Sequence, residues 1–339
     1  MSRASTALST VEASRVLRRW RISARSEEIV PGSGTANASV IVDCDAGKFV
    51  LRRRNPRYAR TDWVRFDHAL LAHLAADGLP VPRGVRGDGG RAWLRERAHV
   101  YELFEFIEGQ SHQEGDPAEL NAAGGVLAEL HKSAARFEPP VAKAWPRFHD
   151  PADARDGLEE LLAEAAGEDA TALRAALKLA KDLAERFPDQ RYRSLPRTIV
   201  QGDYHPANLK FDDGRVVGVF DWDWASDQPR MVDVADGLLF FCGEREAPLV
   251  GGDIWSLTAS FTIDQARVER FLAGYESVLA ITPEEREALP DLMRCRWLYC
   301  RVDAARRKVA PERRVEFVLR DIARPLRGID QLHAKLRGA

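Results

Sequence analysis

The chain has 339 residues, a formal net charge of −2 and four cysteines, and these values exclude several classes of protein. Its length exceeds that of one ordinary domain, so two domains or two lobes are expected. Basic and acidic residues are interspersed, which argues against nucleic-acid and membrane-surface partners. No apolar run reaches the roughly 18 residues of a membrane span, and we expect a cytoplasmic protein.

The cysteines give no sign of a disulfide framework or a zinc site. They are irregularly spaced and include no Cys-x-x-Cys pair, so we predict reduced structural thiols at Cys44, Cys242, Cys295 and Cys300. Nothing in the sequence predicts the oligomeric state.

The first predicted elements are a short helix and a β-hairpin. Ser9 and Glu12 have the spacing of a capping box, which predicts a helix start. Two apolar runs at 40–42 and 49–51 flank DCDAGK, a pattern typical of a hairpin with a glycine-containing turn. Before them lies PGSGTAN at 31–37, a tip small enough for backbone to approach a ligand closely. An ordinary turn is the alternative interpretation of this tip.

The remaining elements divide the chain into two parts. Residues 61–82 have apolar positions at helical spacing and a Gly-x-Pro stop, and 91–110 alternate as strands do. Beyond Gly109 the patterns are mainly helical, and we see one convincing strand pair, around the turn DDGR. The prediction is an N-lobe of sheet plus one helix over 1–108 and a larger C-lobe over 109–339.

The segment VQGDYHPANLKFDDGRVVGVFDWDWA carries the chemistry. Phosphoryl transfer to a hydroxyl needs a carboxylate for the hydroxyl proton, oxygen ligands for magnesium and a cation on the phosphates. Asp203 lies in a loop, and Asn208 directly precedes a strand. The turn at 212–215 reverses the chain, so Asp221 returns to the end of the hairpin where Asn208 lies. One carboxylate and one amide are sufficient ligands for Mg²⁺, which keeps several waters.

These residues also resemble a known family. GDYHPANLKF at 202–211 followed by VFDWDWA at 219–225 is similar to the catalytic and metal loops of the aminoglycoside phosphotransferase-like family, which includes choline and homoserine kinases. The resemblance covers nearly the whole chain and implies an α+β, two-lobed, protein-kinase-like fold. It implies that Asp203 is the catalytic base and that Asn208 and Asp221 bind Mg²⁺.

The resemblance also implies phosphate contacts in the N-lobe. FVLR at 49–52 matches the strand that carries the phosphate-binding lysine of such kinases, so Arg52 is expected to bind phosphate. Arginine keeps the charge and adds a planar fork that suits phosphate. Asp67, where glutamate is usual, is expected to pair with Arg52 and compensate for its length. Gly34, in the Gly-rich tip, is expected to approach the nucleotide.

An adenine-binding hinge is implied at LFEFIEG, residues 103–109. Phe104 matches the gatekeeper position, and the backbones of Glu105 and Ile107 match the adenine partners. The implied cofactors are therefore ATP and Mg²⁺, with GTP as an alternative donor.

Several neighbours of the predicted site have open or supporting roles. Gln201 stands where histidine is usual in the family; because that histidine supports the loop, we expect a modest effect. His205 is interpreted as a loop-supporting residue, and Asp233 as an anchor of the catalytic loop. Asp223 and Asp227 are compatible with three roles: binding a cationic substrate, holding a second metal, or capping the following structure.

The predicted function is ATP-dependent phosphorylation of a hydroxyl on a small molecule, and an amine-bearing acceptor would fit the acidic residues. Four aromatic residues are interpreted as core rather than as a cation cage: Trp222, Trp224, Trp297 and Tyr299. One alternative is a regulatory nucleotide-binding pseudokinase, because Gln201 and Arg52 depart from the family pattern. The other is a protein Ser/Thr kinase, although 223–230 leaves little room for a peptide platform.

Overall fold

A computed structural model describes residues 7–32, 37–247 and 253–338 of the chain. Its first part is a five-stranded antiparallel sheet of order β1-β2-β3-β5-β4. The strands are β1 (Ile29–Pro31), β2 (Ala38–Cys44), β3 (Gly47–Arg53), β4 (Trp93–Glu96) and β5 (His99–Glu105). Because the apolar runs on β2 and β3 pair directly, the predicted hairpin is confirmed.

Two helices flank this sheet, α1 (Thr10–Leu17) and α2 (Thr61–Ala76). The Ser9 side chain accepts from the Glu12 N–H at 3.2 Å, as a capping residue does. The Glu12 carboxylate does not complete the capping box; it accepts from Arg53 at 2.8 Å and from Tyr101 at 2.5 Å. Glu12 therefore connects α1 to the sheet through Arg53. Strand alternation places the Arg53 side chain on the face of the sheet opposite Arg52.

The larger part of the chain is mainly helical. Its helices are α3 (Pro117–Ala134), α4 (Pro151–Glu164), α5 (Gly167–Arg186), α6 (Asp189–Ser194), α7 (Met231–Phe241), α8 (Gln265–Glu276), α9 (Pro283–Lys308), α10 (Arg314–Leu319) and α11 (Ala323–Gly338). Helices α3 and α8 approach closely at two glycines: a Cβ on Gly124 would lie 2.0 Å from the Phe271 carbonyl oxygen. Every residue of α7 is buried, so this helix forms the centre of the lobe.

Three short strand pairs lie among these helices: β6 (Arg197–Val200) with β9 (Ser226–Pro229), β7 (Leu209–Asp212) with β8 (Arg215–Val219), and β10 (Gly243–Arg245) with β11 (Phe261–Ile263). The β7–β8 hairpin is the predicted one. The expectation that it is the one strand pair beyond Gly109 is wrong. The other pairs have three or four residues per strand and join distant segments, so no local turn signals them.

The division into a sheet-rich part and a helical part agrees with the predicted α+β architecture, and the chain leaves the sheet at Glu105. The lobe boundaries at 108 and 109 stay a prediction. All four cysteines are free thiols, as expected. Within the described ranges, no helix combines the length and apolarity needed to cross a bilayer.

Candidate active site

The predicted catalytic loop is anchored by Asp233, in the first turn of α7. Its carboxylate accepts from the backbone N–H groups of Gln201 at 2.7 Å and Gly202 at 2.8 Å. His131 on α3 lies 3.2 Å from the same carboxylate. Gly202 has φ +90, and a Cβ there would lie 2.8 Å from the Trp224 Cβ, so the loop requires glycine. The predicted anchoring role of Asp233 is confirmed.

Gln201 connects the catalytic loop to the predicted metal loop. Its Oε1 accepts from the Asp203 N–H at 2.7 Å, and its Nε2 donates to the carbonyls of Phe220 at 2.9 Å and Asp221 at 2.8 Å. A side chain at this position therefore fixes the spacing of the two loops through three hydrogen bonds, which agrees with the supporting role expected from the sequence.

The Asp203 carboxylate faces two cationic or polar partners. Oδ1 accepts from Arg296 Nη2 at 2.8 Å, and Oδ2 lies 3.4 Å from His205 Nε2. One third of the side chain, 33%, remains exposed. Desolvation alone would raise the pKa of Asp203, but His205 and Arg296 outweigh it and hold the pKa below its ordinary value. The carboxylate is therefore ionised at neutral pH, as a group that orients a hydroxyl requires.

The β7–β8 hairpin brings Asn208 and Asp221 to one end, as predicted. The Phe220 N–H donates to the Asn208 carbonyl at 2.8 Å, directly before Asp221. Asn208 Nδ2 donates to the Asp203 carbonyl at 2.9 Å. No described residue donates to Asn208 Oδ1, so this oxygen is available as a ligand. Three predicted residues therefore share one loop-and-hairpin unit.

Asp221 has the surroundings of a cation ligand. It adopts a left-handed backbone with φ 56, two residues after the end of β8. Its Oδ1 is buried without a hydrogen-bond donor among the described residues, and the Arg52 guanidinium lies 3.7 Å away. Desolvation and the charge of Asp223 raise its pKa to about 7. A buried oxygen so poorly compensated fits a divalent cation.

The predicted ligand set contains only one carboxylate, so protein groups alone do not fill the coordination shell of a metal ion. Among the described residues there is no cluster of three or more His, Cys, Asp or Glu side chains at metal-binding spacing. One carboxylate and one amide suit magnesium, which retains waters and completes its shell with substrate phosphates. The residues present therefore fit Mg²⁺ better than an ion that needs a full protein shell.

Arg52 lies on the side of the sheet that faces this hairpin. Its Nε donates to Glu102, the residue directly opposite on β5, at 2.8 Å. Its Nη2 lies 3.0 Å from Asp223 Oδ1. Burial would lower the pKa of Arg52, but Asp223 and Glu102 raise it above the ordinary value. A permanently charged guanidinium thus lies beside Asp221.

The predicted pair between Arg52 and Asp67 is wrong. Asp67 accepts from Arg54 at 2.6 Å and from Lys143 at 2.5 Å. The reason is geometric. Glu102 lies directly opposite Arg52 on the neighbouring strand and accepts its hydrogen bond, and Arg54 is the arginine that contacts Asp67 on α2. Sequence reasoning missed Arg54, although strand alternation places it on the same face as Arg52. Lys143 lies in the connection after α3, where no pattern distinguishes it.

The acidic residues after the predicted metal ligand already have partners. Asp223 is buried and contacts Arg52, Arg54 at 3.2 Å and Asn37 at 2.8 Å. Asp227 is exposed and lies 3.2 Å from Arg197. Both carboxylates already pair with arginines, so they do not support the amine-bearing acceptor that was predicted from them.

The predicted hinge follows β5. Phe104 is buried and stacks on His68, with ring centroids 5.6 Å apart. The Glu105 N–H donates to the Arg83 carbonyl at 2.9 Å, so only its carbonyl remains for an adenine. The Ile107 N–H has no partner within the described part of the chain. This pair of one free acceptor and one free donor is what an adenine edge requires.

A cavity of about 500 Å³ lies on the Arg52 face of the sheet next to the hinge. It is lined by Glu27, Glu28, Val30, Ile41, Asp43, Lys48 and Phe106. Gly34 lies outside the described residues, so its predicted role has no structural account. Asn37, at the end of the same tip, connects Asp223 to the Asn55 N–H.

The aromatic residues divide into two groups. Trp222 and Trp297 are buried core residues, as interpreted from the sequence. Trp224 and Tyr299 are half-buried near the catalytic loop, and Tyr299 lies 5.3 Å from the His149 ring. Arg296 shares this region and was missed by sequence reasoning, because a single arginine within a long arginine-rich helix carries no motif.

Comparison with known proteins agrees with this geometry. The sequence model of the Phosphotransferase enzyme family matches residues 28–289, which is more than half of the chain. The chain belongs to the phosphotransferase enzyme family. It is therefore a small-molecule kinase, with ATP as donor and a hydroxyl group as acceptor, rather than a pseudokinase or a protein kinase.

Individual relatives of this phosphotransferase include homoserine kinases. The homoserine kinase of Phenylobacterium zucineum is 28% identical over 267 residues, covering 76% of this chain and 73% of that protein. A microcompartment-associated aminopropanol kinase superposes with a TM-score of 0.68 at 18% identity, over 96% and 99% of the two chains. An amicoumacin kinase in complex with AMP-PNP and Ca²⁺ superposes with a TM-score of 0.64 at 13% identity, over 92% and 90%. These likenesses confirm the protein-kinase-like fold.

Proposed function

We propose that this phosphotransferase uses Mg²⁺ and transfers the γ-phosphoryl group of ATP with Asp203 as the base that orients the acceptor hydroxyl. In this proposal Asn208 and Asp221 are the metal ligands, and Arg52 contacts the phosphates. GTP stays the alternative donor. The lobes before and after residue 108 contribute the nucleotide and acceptor sides of the cleft.

One observation carries the assignment of roles: Asp203 and Asp221 lie in loops joined through Gln201, yet their surroundings differ. Asp203 has two positively charged or polar partners and a lowered pKa. Asp221 keeps a buried oxygen without a donor among the described residues. The first carboxylate suits proton acceptance and orientation, and the second suits a cation.

The chain's own residues account for most of the chemistry. Asp203 accepts a hydrogen bond from the acceptor hydroxyl and takes its proton as the phosphoryl group is transferred. Arg52 is held by Glu102 and Asp223, and its Nη1 lies 3.7 Å from Asp221 Oδ1, next to the proposed metal position. Bound Mg²⁺ would neutralise charge on the phosphates. Gln201 holds the loop of Asp203 and the loop of Asp221 at a fixed spacing.

The proposed contacts with adenine lie in the hinge, residues 103–109. The Glu105 carbonyl and the Ile107 N–H supply one acceptor and one donor at the end of β5, as an adenine edge needs. Gly34 completes the proposed nucleotide contacts from the Gly-rich tip. Relatives named homoserine kinase and aminopropanol kinase support a small acceptor with a primary or secondary hydroxyl.

The test is Mg²⁺-dependent phosphoryl transfer from ATP to pooled hydroxylated metabolites, comparing wild type with Asp203→Asn. The variant should lose about 10²- to 10⁴-fold in kcat, because it lacks the base, and should bind ATP normally. Asp227→Asn is the matched control, since Asp227 is 60% exposed in a surface ion pair. Transfer that survives in Asp203→Asn at the wild-type rate would contradict the proposal.

A further inference from the structure

The connection between α3 and α4 contains a lysine that touches two parts of the nucleotide side. Lys143 Nζ donates to Asp67 Oδ1 on α2 at 2.5 Å and to the backbone carbonyl of Asp223 at 2.8 Å. The side chains of Lys143 and Asp67 are both fully buried. Asp223 lies two residues after Asp221, the proposed metal ligand. One ammonium group therefore connects α2 to the loop that carries Asp221.

Aromatic rings bring the same three segments together. The Trp145 ring stacks on the Trp224 ring, with centroids 5.3 Å apart and planes 5° from parallel. Its centroid lies 4.8 Å from that of the Trp63 ring on α2. Phe148 meets Trp224 edge-on at 5.6 Å. The connection thus packs on α2 and on the loop after Asp221 through a second set of contacts, independent of the lysine.

The connection is itself fixed to the helical part of the chain. Arg147 Nη2 donates to the Phe187 carbonyl at 2.8 Å, and Gln228 Nε2 donates to the Pro146 carbonyl at 3.1 Å. Both contacts lie within four residues of Lys143. A side chain that leaves a fixed segment can hold a neighbouring loop at a defined position.

The charges of this contact favour a positioning role over a stabilising one. Burial lowers the pKa of Lys143 although Asp67 opposes the shift, and burial raises the pKa of Asp67 although Arg54 and Lys143 oppose it. Desolvation outweighs attraction for both groups, so the buried pair contributes little net stability. The contribution of Lys143 that remains is geometric, namely a hydrogen bond that fixes the backbone of the loop at Asp223.

We propose that Lys143 is a positioning residue for the metal site, which holds the loop after Asp221 against α2. Its side chain is buried, so it contacts neither nucleotide nor acceptor and acts through the Asp223 carbonyl. Asp67 then serves the metal loop through Lys143 instead of pairing with Arg52. This inference rests on the proposed function, because it assumes that Asp221 binds the metal.

The test titrates each variant with Mn²⁺ in the presence of a non-hydrolysable ATP analogue and measures chemical unfolding in parallel. Lys143→Met should weaken Mn²⁺ binding by about 10- to 100-fold, as loss of a contact that orients a metal ligand typically does. Leu158→Ala is the control for stability alone, since Leu158 is a fully buried core residue of α4. It should lower the stability and leave Mn²⁺ binding unchanged.

The double variant Lys143→Met/Asp67→Asn separates position from stability. It removes both charges of the buried pair, so it should be more stable than Lys143→Met alone. Its Mn²⁺ binding should stay weak, because the Asp223 carbonyl still lacks its donor. The double variant also decides the question if Lys143→Met does not fold.

Two results would overturn the inference: wild-type Mn²⁺ affinity in a folded variant that lacks Lys143, or an equal loss of affinity in Leu158→Ala. Asp221→Asn is the reference for the proposed function. Wild-type Mn²⁺ affinity in Asp221→Asn would refute the proposed function itself, whereas weak binding there with normal binding in Lys143→Met would refute only the role of Lys143.

Discussion

The two carboxylates in the loops joined through Gln201, Asp203 and Asp221, differ in how their charge is compensated. Around Asp203, His205 and Arg296 lower the pKa despite desolvation. Around Asp221, desolvation and a neighbouring carboxylate raise the pKa to about 7. The comparison teaches that residue type does not define the role, since the same side chain suits a proton acceptor or a cation ligand according to its neighbours.

The two sides also differ in how they are held together. On the nucleotide side, three cations face four carboxylates, namely Arg52, Arg54 and Lys143 against Asp67, Glu102, Asp221 and Asp223. On the acceptor side, the backbone N–H groups of the loop donate to the side chains of Asp233 and Gln201. Removing a charge on the nucleotide side should therefore lower the free energy of unfolding. Removing a side chain that positions the loops on the acceptor side should instead lower kcat.

The largest effect is expected from Arg54→Met, at the centre of the ion-pair cluster. Arg54 is fully buried and contacts Asp67, Glu102 and Asp223. Its removal leaves buried carboxylates uncompensated, so the free energy of unfolding should fall by about 3–5 kcal/mol in chemical denaturation. Arg25→Met, in an exposed ion pair, should leave the free energy of unfolding nearly unchanged. Equal effects of the two variants would refute the structural importance of the cluster.

A smaller effect, with a defined pH dependence, is expected from Glu102→Gln. Burial would raise the pKa of Glu102, but Arg52 and Arg54 hold it well below its ordinary value of 4.5. A lowered folded-state pKa means that this stabilisation is complete above about pH 4.5 and is lost as pH falls through the folded pKa. Unfolding measured across pH should show that Glu102→Gln is less stable than wild type at pH 7 and that the difference narrows in acid. A difference that widens in acid would contradict this sign.

Gln201→Ala should give a smaller effect, on catalysis more than on stability. The variant loses the three hydrogen bonds that connect the Asp203 loop to Asp221. Loss of such supporting contacts typically lowers activity by about 10- to 100-fold, and kcat should fall accordingly. Gln201→His, with the residue usual in the family, should retain most activity. An unchanged kcat in Gln201→Ala would show that the loops hold their spacing without this side chain.

Much of this architecture was predictable because its signals are local. The β7–β8 hairpin follows from two apolar runs and a turn, and it alone places Asn208 beside Asp221. The role of Asp233 followed from its position at a helix start. Strand alternation would also have found Arg54, since Arg52 and Arg54 share a face and Arg53 does not.

The remaining features depend on contacts between distant segments. Arg296 is 93 residues from Asp203 along the chain, and Lys143 is 76 residues from Asp67. Neither lies in a periodic or motif context that distinguishes it from other surface-type cations. The wrong Arg52–Asp67 pair has the same origin: Glu102 competes for Arg52 from a strand that the sequence places about 50 residues away.

The most direct test of the account separates the two carboxylates by metal binding. Mn²⁺ binding, followed by electron paramagnetic resonance with a non-hydrolysable ATP analogue, should be weakened by about tenfold or more in Asp221→Asn, which lacks a charged ligand. Asp203→Asn should bind Mn²⁺ as wild type does, although it fails to transfer phosphate. Wild-type Mn²⁺ affinity in Asp221→Asn, or equal weakening in both variants, would contradict the division of roles between Asp203 and Asp221.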